Sequence, residues 1–375
     1  MTIEIQKPDV PHVLSFKKKD WEDLLISVGE PAYRAKQLEN WIYQKKVLAI
    51  ESMSNLPKTL RDKIGSQVSA ELPEIISRLE SEDGTTKLLL RGKKLQSIET
   101  VIMRYEDRTS LCVSSQVGCK LACTFCQTGK LGFFRNLSAD EILSQYFIAD
   151  QIVSQEGRRV SHIVFMGMGE PFDNYDNVIQ ATNRFLDEDG LNLSHKHVTL
   201  STSGIAPKIG QLAYDTKACL ALSLHAATDE LRSQIMPINR KYSLVELKEE
   251  LLAYQQATNK KITIEYILIK DVNCSIKEAK ALVRYVNGLK VKINLIPFND
   301  HPGVDYKRPD TATIQAFQDY LKSRSLVATV RYSRGLGVSA ACGQLAAKTG
   351  ATLSNMPRRK DILVNATTEQ HMRSQ

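Results

Sequence analysis

The hydrophobic pattern of the chain changes period twice on its way from the N-terminus to the C-terminus. From Asp20 to Val28, Trp21, Leu24, Leu25 and Val28 recur at helical spacing, and Gly29-Glu30-Pro31 breaks the run. Tyr33 to Lys46 predicts a second helix, with Leu38, Trp41 and Ile42 on one face and basic residues on the other. Asn55-Leu56-Pro57 supplies a cap and an early proline for a third short helix. Residues 1 to about 15 show no period and read as a loose lead-in. Three short helices bury little core alone, so residues 1–70 predict an accessory helical module. Its basic face suits contact with RNA and packing against a larger body equally well.

Between Ile75 and Ser115 the period becomes two. Ile75–Glu80 and Thr85–Leu90 flank Asp83-Gly84, a strong hairpin signal, and Leu95–Met103 and Ser110–Ser115 continue as strands. This predicts a β-rich extension over residues 71–111. Glu99 is an acid inside the apolar run Ile98-Glu99-Thr100-Val101-Ile102, where a lone carboxylate ordinarily marks the solvent side of a strand. From Ser138-Ala139-Asp140-Glu141, a capping box, a helix runs through Ile142, Tyr146, Phe147 and Ile152. Strands at His162–Phe165, His197–Ser201, Ala218–Ser223, Ile262–Ile269, Lys292–Pro297 and Ala328–Tyr332 then alternate with helices at Asn177–Leu186, Leu244–Ala257, Lys277–Asn287 and Thr311–Ser323. Alternation of this kind predicts an α/β body over 112–345. Its parallel sheet has right-handed crossovers, closed or partly closed into a barrel, with functional loops at the C-terminal strand ends. Residues 346–375 are polar and predict a tail.

Composition adjusts this picture only slightly. The 375 residues are 42% hydrophobic and 25% charged, ordinary for a globular protein. No apolar run approaches the roughly 18–20 residues that span a bilayer, and Met1-Thr2-Ile3-Glu4 does not open a secretory signal. The odd cysteine count of seven, three of them clustered, predicts a reducing, cytoplasmic setting. The net charge of +8 is a moderate bias toward polyanions. Basic clusters at Lys17-Lys18-Lys19, Arg91-Gly92-Lys93-Lys94, Arg158-Arg159 and Arg358-Arg359-Lys360 are spread along the chain, so folding must gather them.

The cysteines carry the chemistry. Cys119, Cys123 and Cys126 are spaced C-x3-C-x2-C within eight residues. So close a set suits a soft metal centre better than disulfides, and no second C-x2-C pair completes a zinc site. A zinc knuckle or three unrelated buried thiols are the plainer alternatives. A [4Fe–4S] cluster normally takes four cysteines, so three leave one iron open to another ligand. The spacing, with an aromatic before the third cysteine, resembles the radical S-adenosylmethionine (SAM) signature. Further unusual residues stand at strand ends: Gly167-Met168-Gly169-Glu170-Pro171, Ser201-Thr202-Ser203-Gly204, Ser223-Leu224-His225 and Ile296-Pro297-Phe298-Asn299. Such a rim offers glycines for close approach, a carboxylate for an amine, and hydroxyl, imidazole and amide groups for a cofactor. Read singly, each also suits an ordinary turn or a satisfied core residue.

Together with Cys112-Val113-Ser114-Ser115-Gln116-Val117-Gly118-Cys119, Met236-Pro237-Ile238-Asn239 and Ala341-Cys342-Gly343-Gln344-Leu345, these boxes resemble the RlmN/Cfr family of radical SAM RNA methyltransferases. The likeness runs from about Pro31 to Leu345 and is nearer to the adenine-C2 branch than to the adenine-C8 branch. It implies a partial (βα)6 barrel, one [4Fe–4S] cluster, SAM, and methylation of C2 of adenine in 23S ribosomal RNA and transfer RNA. It also implies that Cys119, Cys123 and Cys126 bind the cluster, and that Gly169, Glu170, Ser201, Ser223, Leu224, His225 and Asn299 contact SAM. Cys342 would carry the methyl group, Cys112 would resolve the protein–RNA adduct through a transient Cys112–Cys342 disulfide, and Glu99 would accept a proton. An electron donor such as flavodoxin or ferredoxin, a monomeric state and no membrane partner complete the expectation. Cys219 and Cys274 match no motif and read as structural. One departure stands out: Arg334-Gly335-Leu336-Gly337 lacks the acids that relatives often carry after the Arg-Gly, which bears on how the Cys342 loop is held. The alternatives are C8 methylation by the same machinery and a non-catalytic RNA-binding protein stapled by an Fe–S centre.

Overall fold

A computed structural model describes residues 10–93, 96–301, 303–341 and 343–345. The tail expected from residue 346 onward, its basic cluster and Cys342 lie outside the described residues. The N-terminal helices are α1 (Lys18–Ser27), α2 (Arg34–Glu39) and α3 (Lys58–Gly65). The second helix continues past α2 as one π turn, Asn40–Gln44. The lead-in expected through residue 15 is corrected in part. Val13 and Leu14 are fully buried in a 3-10 turn, and His12 bridges to Ser69. Two apolar residues are too few to show a period, so only tertiary packing reveals them.

Four strands follow: β1 (Ile75–Glu80), β2 (Thr85–Arg91), β3 (Ser97–Arg104) and β4 (Thr109–Cys112). They pair antiparallel in order, with the β1–β2 turn at Gly84. A short ribbon of β5 (Gln116–Gly118) and β6 (Phe133–Asn136) encloses α4 (Gln127–Leu131). The remaining elements are α5 (Ala139–Ser154), β7 (His162–Phe165), α6 (Tyr175–Leu186), β8 (Val198–Thr202), α7 (Pro207–Asp215), β9 (Cys219–Ser223), α8 (Asp229–Ile235) and α9 (Leu244–Thr258). After them come β10 (Ile262–Leu268), α10 (Ile276–Val286), β11 (Val291–Pro297), α11 (Thr311–Ser323) and β12 (Ala328–Val330).

One sheet runs β1-β2-β3-β4-β7-β8-β9-β10-β11-β12. From β4 to β12 every neighbour is parallel, each reached through a helical crossover. Among the described residues β1 and β12 each pair on one side only, so the barrel is partial. The parallel series starts one strand earlier than the period indicated. β4 pairs antiparallel with β3 and parallel with β7, so it is where hairpin extension and barrel join.

The core explains why so small a helical module folds. Trp21, Leu25, Leu38, Ile42 and Tyr43 belong to the same buried apolar cluster as Phe147 of α5 and Phe185 of α6. The helix α5 is buried on almost every side because the module covers it outside and the sheet covers it inside. A fully buried side chain of this size contributes roughly 1.5–3 kcal/mol. The module therefore gains its stability from the barrel and not from its own three helices.

Candidate active site

The three clustered cysteines lie on the segment between β5 and α4. Gly118 opens the loop with φ +75, and a Cβ there would lie 2.0 Å from the Gly132 carbonyl oxygen, so only glycine fits. Thr124 N–H donates to the Ile235 carbonyl at 3.0 Å, and its hydroxyl meets Tyr306 at 2.9 Å. The Phe125 ring meets His225 edge-on at 5.0 Å. Leu121, Cys123 and Phe125 join Ala226, Ile235, Met236, Ile267, Ile269 and Phe298 in a separate apolar cluster. That cluster packs the cysteine loop against the C-terminal ends of β9, β10 and β11.

All three thiols line one cavity with Gly169, Glu170, Ser201, Ser223 and His225. Burial pushes Cys119 up to about 12 and raises Cys123 and Cys126, and a charge on one sulfur opposes charge on the next. Thiolates in such a place need a bound cation. Backbone N–H groups of Thr128 and Gly129 and the Thr128 hydroxyl favour the charged form of Cys126, the kind of contact that tunes cluster sulfurs. Three thiols of one loop that line a common cavity suit a cluster, whose cysteines bind different irons. The residues present fit a [4Fe–4S] cluster.

The strand-end boxes form the rest of the cavity wall. Gly169 has φ +100, and a Cβ there would lie 2.6 Å from Gln116 Cβ, so the glycine admits the segment that leads to the cysteine loop. Glu170 is 2% exposed. It accepts hydrogen bonds from Phe172 N–H (3.0 Å), the Thr202 hydroxyl (2.7 Å) and Ser203 N–H (2.8 Å). Burial raises its pKa against the pull of those donors. His225 adopts φ +59 and accepts Ile267 N–H on Nδ1 at 3.1 Å, so its ring proton resides on Nε2. Burial first, then the Arg232 charge, lowers it to about 3, and the ring is neutral at physiological pH.

Four expected residues stand apart from that wall. Leu224 is in the core; its N–H donates to the Glu265 carbonyl at 3.0 Å and its own carbonyl accepts Arg232 Nε at 3.0 Å. Asn299 is behind the wall and donates to the Ser333 hydroxyl at 2.7 Å, and Ser333 lines the cavity. Glu99 is 2% exposed on β3 and pairs with buried Lys87 at 3.3 Å, so it does not face solvent as an isolated strand acid would. Cys112 packs with Val101, Met168 and Leu345, the last only three residues beyond Cys342. Cys342 itself lies outside the described residues. Its neighbours Ala341, Gly343 and Leu345 line the cavity, and Gln127 N–H and the Thr128 hydroxyl each bind a carbonyl of Gly343 and Leu345, both at 2.7 Å.

The missing acids after Arg334-Gly335 have a local replacement. Asp83 of the β1–β2 turn accepts Gly335 N–H at 2.8 Å, and the Arg334 guanidinium reaches the Arg104 carbonyl at 2.7 Å. The hairpin extension thus holds the C-terminal loop. Of the remaining cysteines, Cys274 is buried and Cys219 donates to the His195 carbonyl at 3.5 Å. Two site residues escaped the sequence reading. Arg232 is fully buried, and its guanidinium donates to the carbonyls of Leu224, Ser203 and Ser223 and to Asn239 Oδ1, locking the ends of β8 and β9 together. The Met236–Asn239 box supplies its counterpart, and that was the only signal for it. Glu265 lines the cavity from the middle of β10, hidden among the largely apolar residues Ile262–Leu268.

Comparison with known proteins agrees with this geometry. Residues 12–69 match the Ribosomal RNA large subunit methyltransferase N-terminal domain, and residues 113–283 match the Radical SAM superfamily. The chain is 41% identical over 339 residues to the dual-specificity RNA methyltransferase RlmN of Nautilia profundicola, covering 87% of this chain and 96% of that one. It is 44% identical over 345 residues to the protein of the same name from Francisella tularensis subsp. tularensis, covering 90% and 93%. Its fold matches the crystal structure of a radical SAM methyltransferase from Sphaerobacter thermophilus with a TM-score of 0.85 at 40% identity, over 89% of this chain and 98% of that one.

Proposed function

We infer that this chain, which belongs to the RlmN family of radical SAM RNA methyltransferases, methylates C2 of adenine in 23S ribosomal RNA and in transfer RNA. The observation that carries the reading is a shared cavity. The three cysteines of the loop, the Gly169-Glu170 box and the residues on either side of position 342 all line it.

When bound, the cluster and SAM supply a methyl group and, by one-electron cleavage of the cofactor, a carbon radical. An electron-poor sp2 carbon such as adenine C2 offers no nucleophile for simple methyl displacement, so radical addition is the open route. Cys119, Cys123 and Cys126 hold the cluster. Gly169, Glu170, Ser201, Ser223 and His225 bind SAM at the strand ends, with Leu224 and Asn299 shaping the wall behind them. Glu170, held by three donors in a fixed orientation, suits an amine partner; His225, neutral and immobile, suits a hydrogen-bond donor. Cys342 carries the methyl group to the base, and the Cys112 thiolate resolves the covalent adduct by attacking the Cys342 sulfur. The S–S bond forms as the sulfur–carbon bond to the base breaks, and the released carbon takes up a proton to become the methyl group. Packing of Cys112 against Leu345 supports that pairing. Glu99 serves as the proton acceptor.

Residues 12–69 and their basic face serve RNA contact, and a flavodoxin- or ferredoxin-type protein supplies electrons to a monomer in the cytoplasm. No helix among the described residues is long and apolar enough to cross a membrane. The test is anaerobic reconstitution with SAM, a reductant and an rRNA fragment, followed by mass spectrometry of the nucleosides. The expected product is 2-methyladenosine, and an 8-methyladenosine product or none refutes the reading. The Cys112→Ala variant should accumulate a covalent protein–RNA adduct on a denaturing gel, and release of free methylated RNA at the wild-type rate removes Cys112 from the mechanism.

A further inference from the structure

Glu265 is a buried carboxylate that none of the roles above employs. It is in the middle of β10, 3% exposed, and its side chain lines the cofactor cavity. In register it lies between Ser223 on β9 and Asn294 on β11. Asn294 Nδ2 donates to Oε1 at 2.9 Å. The second oxygen, Oε2, is buried and accepts no hydrogen bond among the described residues. A carboxylate oxygen held away from water without a donor is costly, and native structures keep such an atom where a ligand or a function supplies the partner.

The surroundings narrow what that partner is. The ligand must bring hydrogen-bond donors, because a carboxylate oxygen only accepts. Ser223 is beside Glu265, and Ser201 Oγ is 3.4 Å from Ser223 Oγ, so hydroxyls that both donate and accept continue the polar row. Ile267, two residues along the same strand and on the same face, lines the cavity and packs with Cys123 and Phe125 of the cysteine loop. Glu265 is therefore one same-face step along β10 from the residue that meets the cysteine loop. A vicinal diol matches a carboxylate flanked by serine hydroxyls: each ribose oxygen donates to the acid and accepts from a serine.

We propose that Glu265 is a cofactor-binding residue that accepts the vicinal ribose hydroxyls of SAM through its Oε2 atom. The proposal rests on SAM binding in this cavity. Burial raises the pKa of Glu265, while the charges of Arg331 and Lys292 pull it down. A donor at Oε2 acts in the same direction as those two cations.

The test is equilibrium binding by calorimetry, on the cluster-reconstituted protein under anaerobic conditions. The probes are S-adenosylhomocysteine and its 2′-deoxy and 3′-deoxy analogues. Wild type should bind the parent compound about 10- to 100-fold more tightly than either analogue, the range set by hydrogen bonds to a charged group. Glu265→Gln should lose a similar factor for the parent while binding the deoxy analogues nearly as wild type does, so discrimination collapses. Equal weakening of all three probes in Glu265→Gln overturns the ribose assignment, because that pattern belongs to an amine or to a structural role. If Glu265→Gln does not fold, the wild type alone decides: failure to discriminate against the deoxy analogues overturns the proposal. Absence of wild-type binding to any probe overturns the cofactor reading beneath it as well.

Discussion

His225 combines two costs in one residue. A φ of +59 places a non-glycine side chain in the left-handed region, worth about 1–3 kcal/mol of strain, and its ring is held neutral where free histidine titrates. Ile267 N–H and Asn273 Nδ2 compensate by binding its Nδ1 and its carbonyl, at 3.1 Å and 2.7 Å. The lowered pKa sets a pH dependence with a definite sign. Below about 6.5 the unfolded chain takes up a proton that the folded chain refuses until about 3, so this residue's share of stability is full above 6.5 and declines as pH falls. Between pH 7 and pH 5 the loss from this one group is about 2 kcal/mol. Urea melts of wild type and His225→Asn should show it, since asparagine tolerates the backbone and does not titrate. The wild type should lose about 2 kcal/mol more than the variant over that interval, and parallel curves would falsify the assignment.

The joint between helical module and barrel is made by elements that the sequence could name but not connect. Arg184 of α6 pairs with Glu39 of α2 at 2.8 Å, both side chains nearly buried, and its guanidinium stacks 5.2 Å from the Tyr43 ring centre. Burial raises the Glu39 pKa, and Arg184 holds it down. Removing one partner strands a buried charge, so Arg184→Met should lower stability by about 3 kcal/mol. The double variant Arg184→Met with Glu39→Gln should recover part of that loss. A loss below about 0.5 kcal/mol in urea unfolding shows that the pair is not the joint. Long amphipathic or alternating segments, such as Thr311–Ser323 and Ile75–Glu80, were legible because their period is a local property. α7, nine residues that include Pro207 and Gly210, and α8, of seven residues, are too short for a period to stand out. The three-residue β5 is likewise too short. At the site, cysteine spacing and glycine-bearing boxes were legible because they are dense in sequence. Arg232 and Glu265 were not, since burial of a charged side chain depends on partners far along the chain.

At the scale of the whole molecule, a net charge of +8 bears on how RNA is held, although the fold consumes much of what looked available in the sequence. Lys93 pairs with Asp140 at 2.9 Å, and Arg91 with Glu74 at 2.7 Å. Arg158 is spent on the carbonyls of Tyr105 and Arg108 and on the Thr109 hydroxyl. Surface pairs such as Arg91–Glu74 are worth about 0–1 kcal/mol and open readily to a polyanion, whereas Arg158 is fixed in the fold. Charge acting from a dispersed set of lysines and arginines displaces counterions without reading bases, so affinity must fall with salt in proportion to the phosphates neutralised. For about four such contacts, raising monovalent salt from roughly 50 to 200 mM weakens binding about 50- to 150-fold. Fluorescence anisotropy with a labelled rRNA hairpin, run without reductant so that no chemistry intervenes, measures the slope. Lys93→Gln should reduce the slope by about one contact if its ion pair opens to phosphate, and Arg158→Gln should lower stability and leave the slope unchanged. A salt-independent affinity would instead place RNA recognition in stacking and shape, with the positive charge serving only solubility.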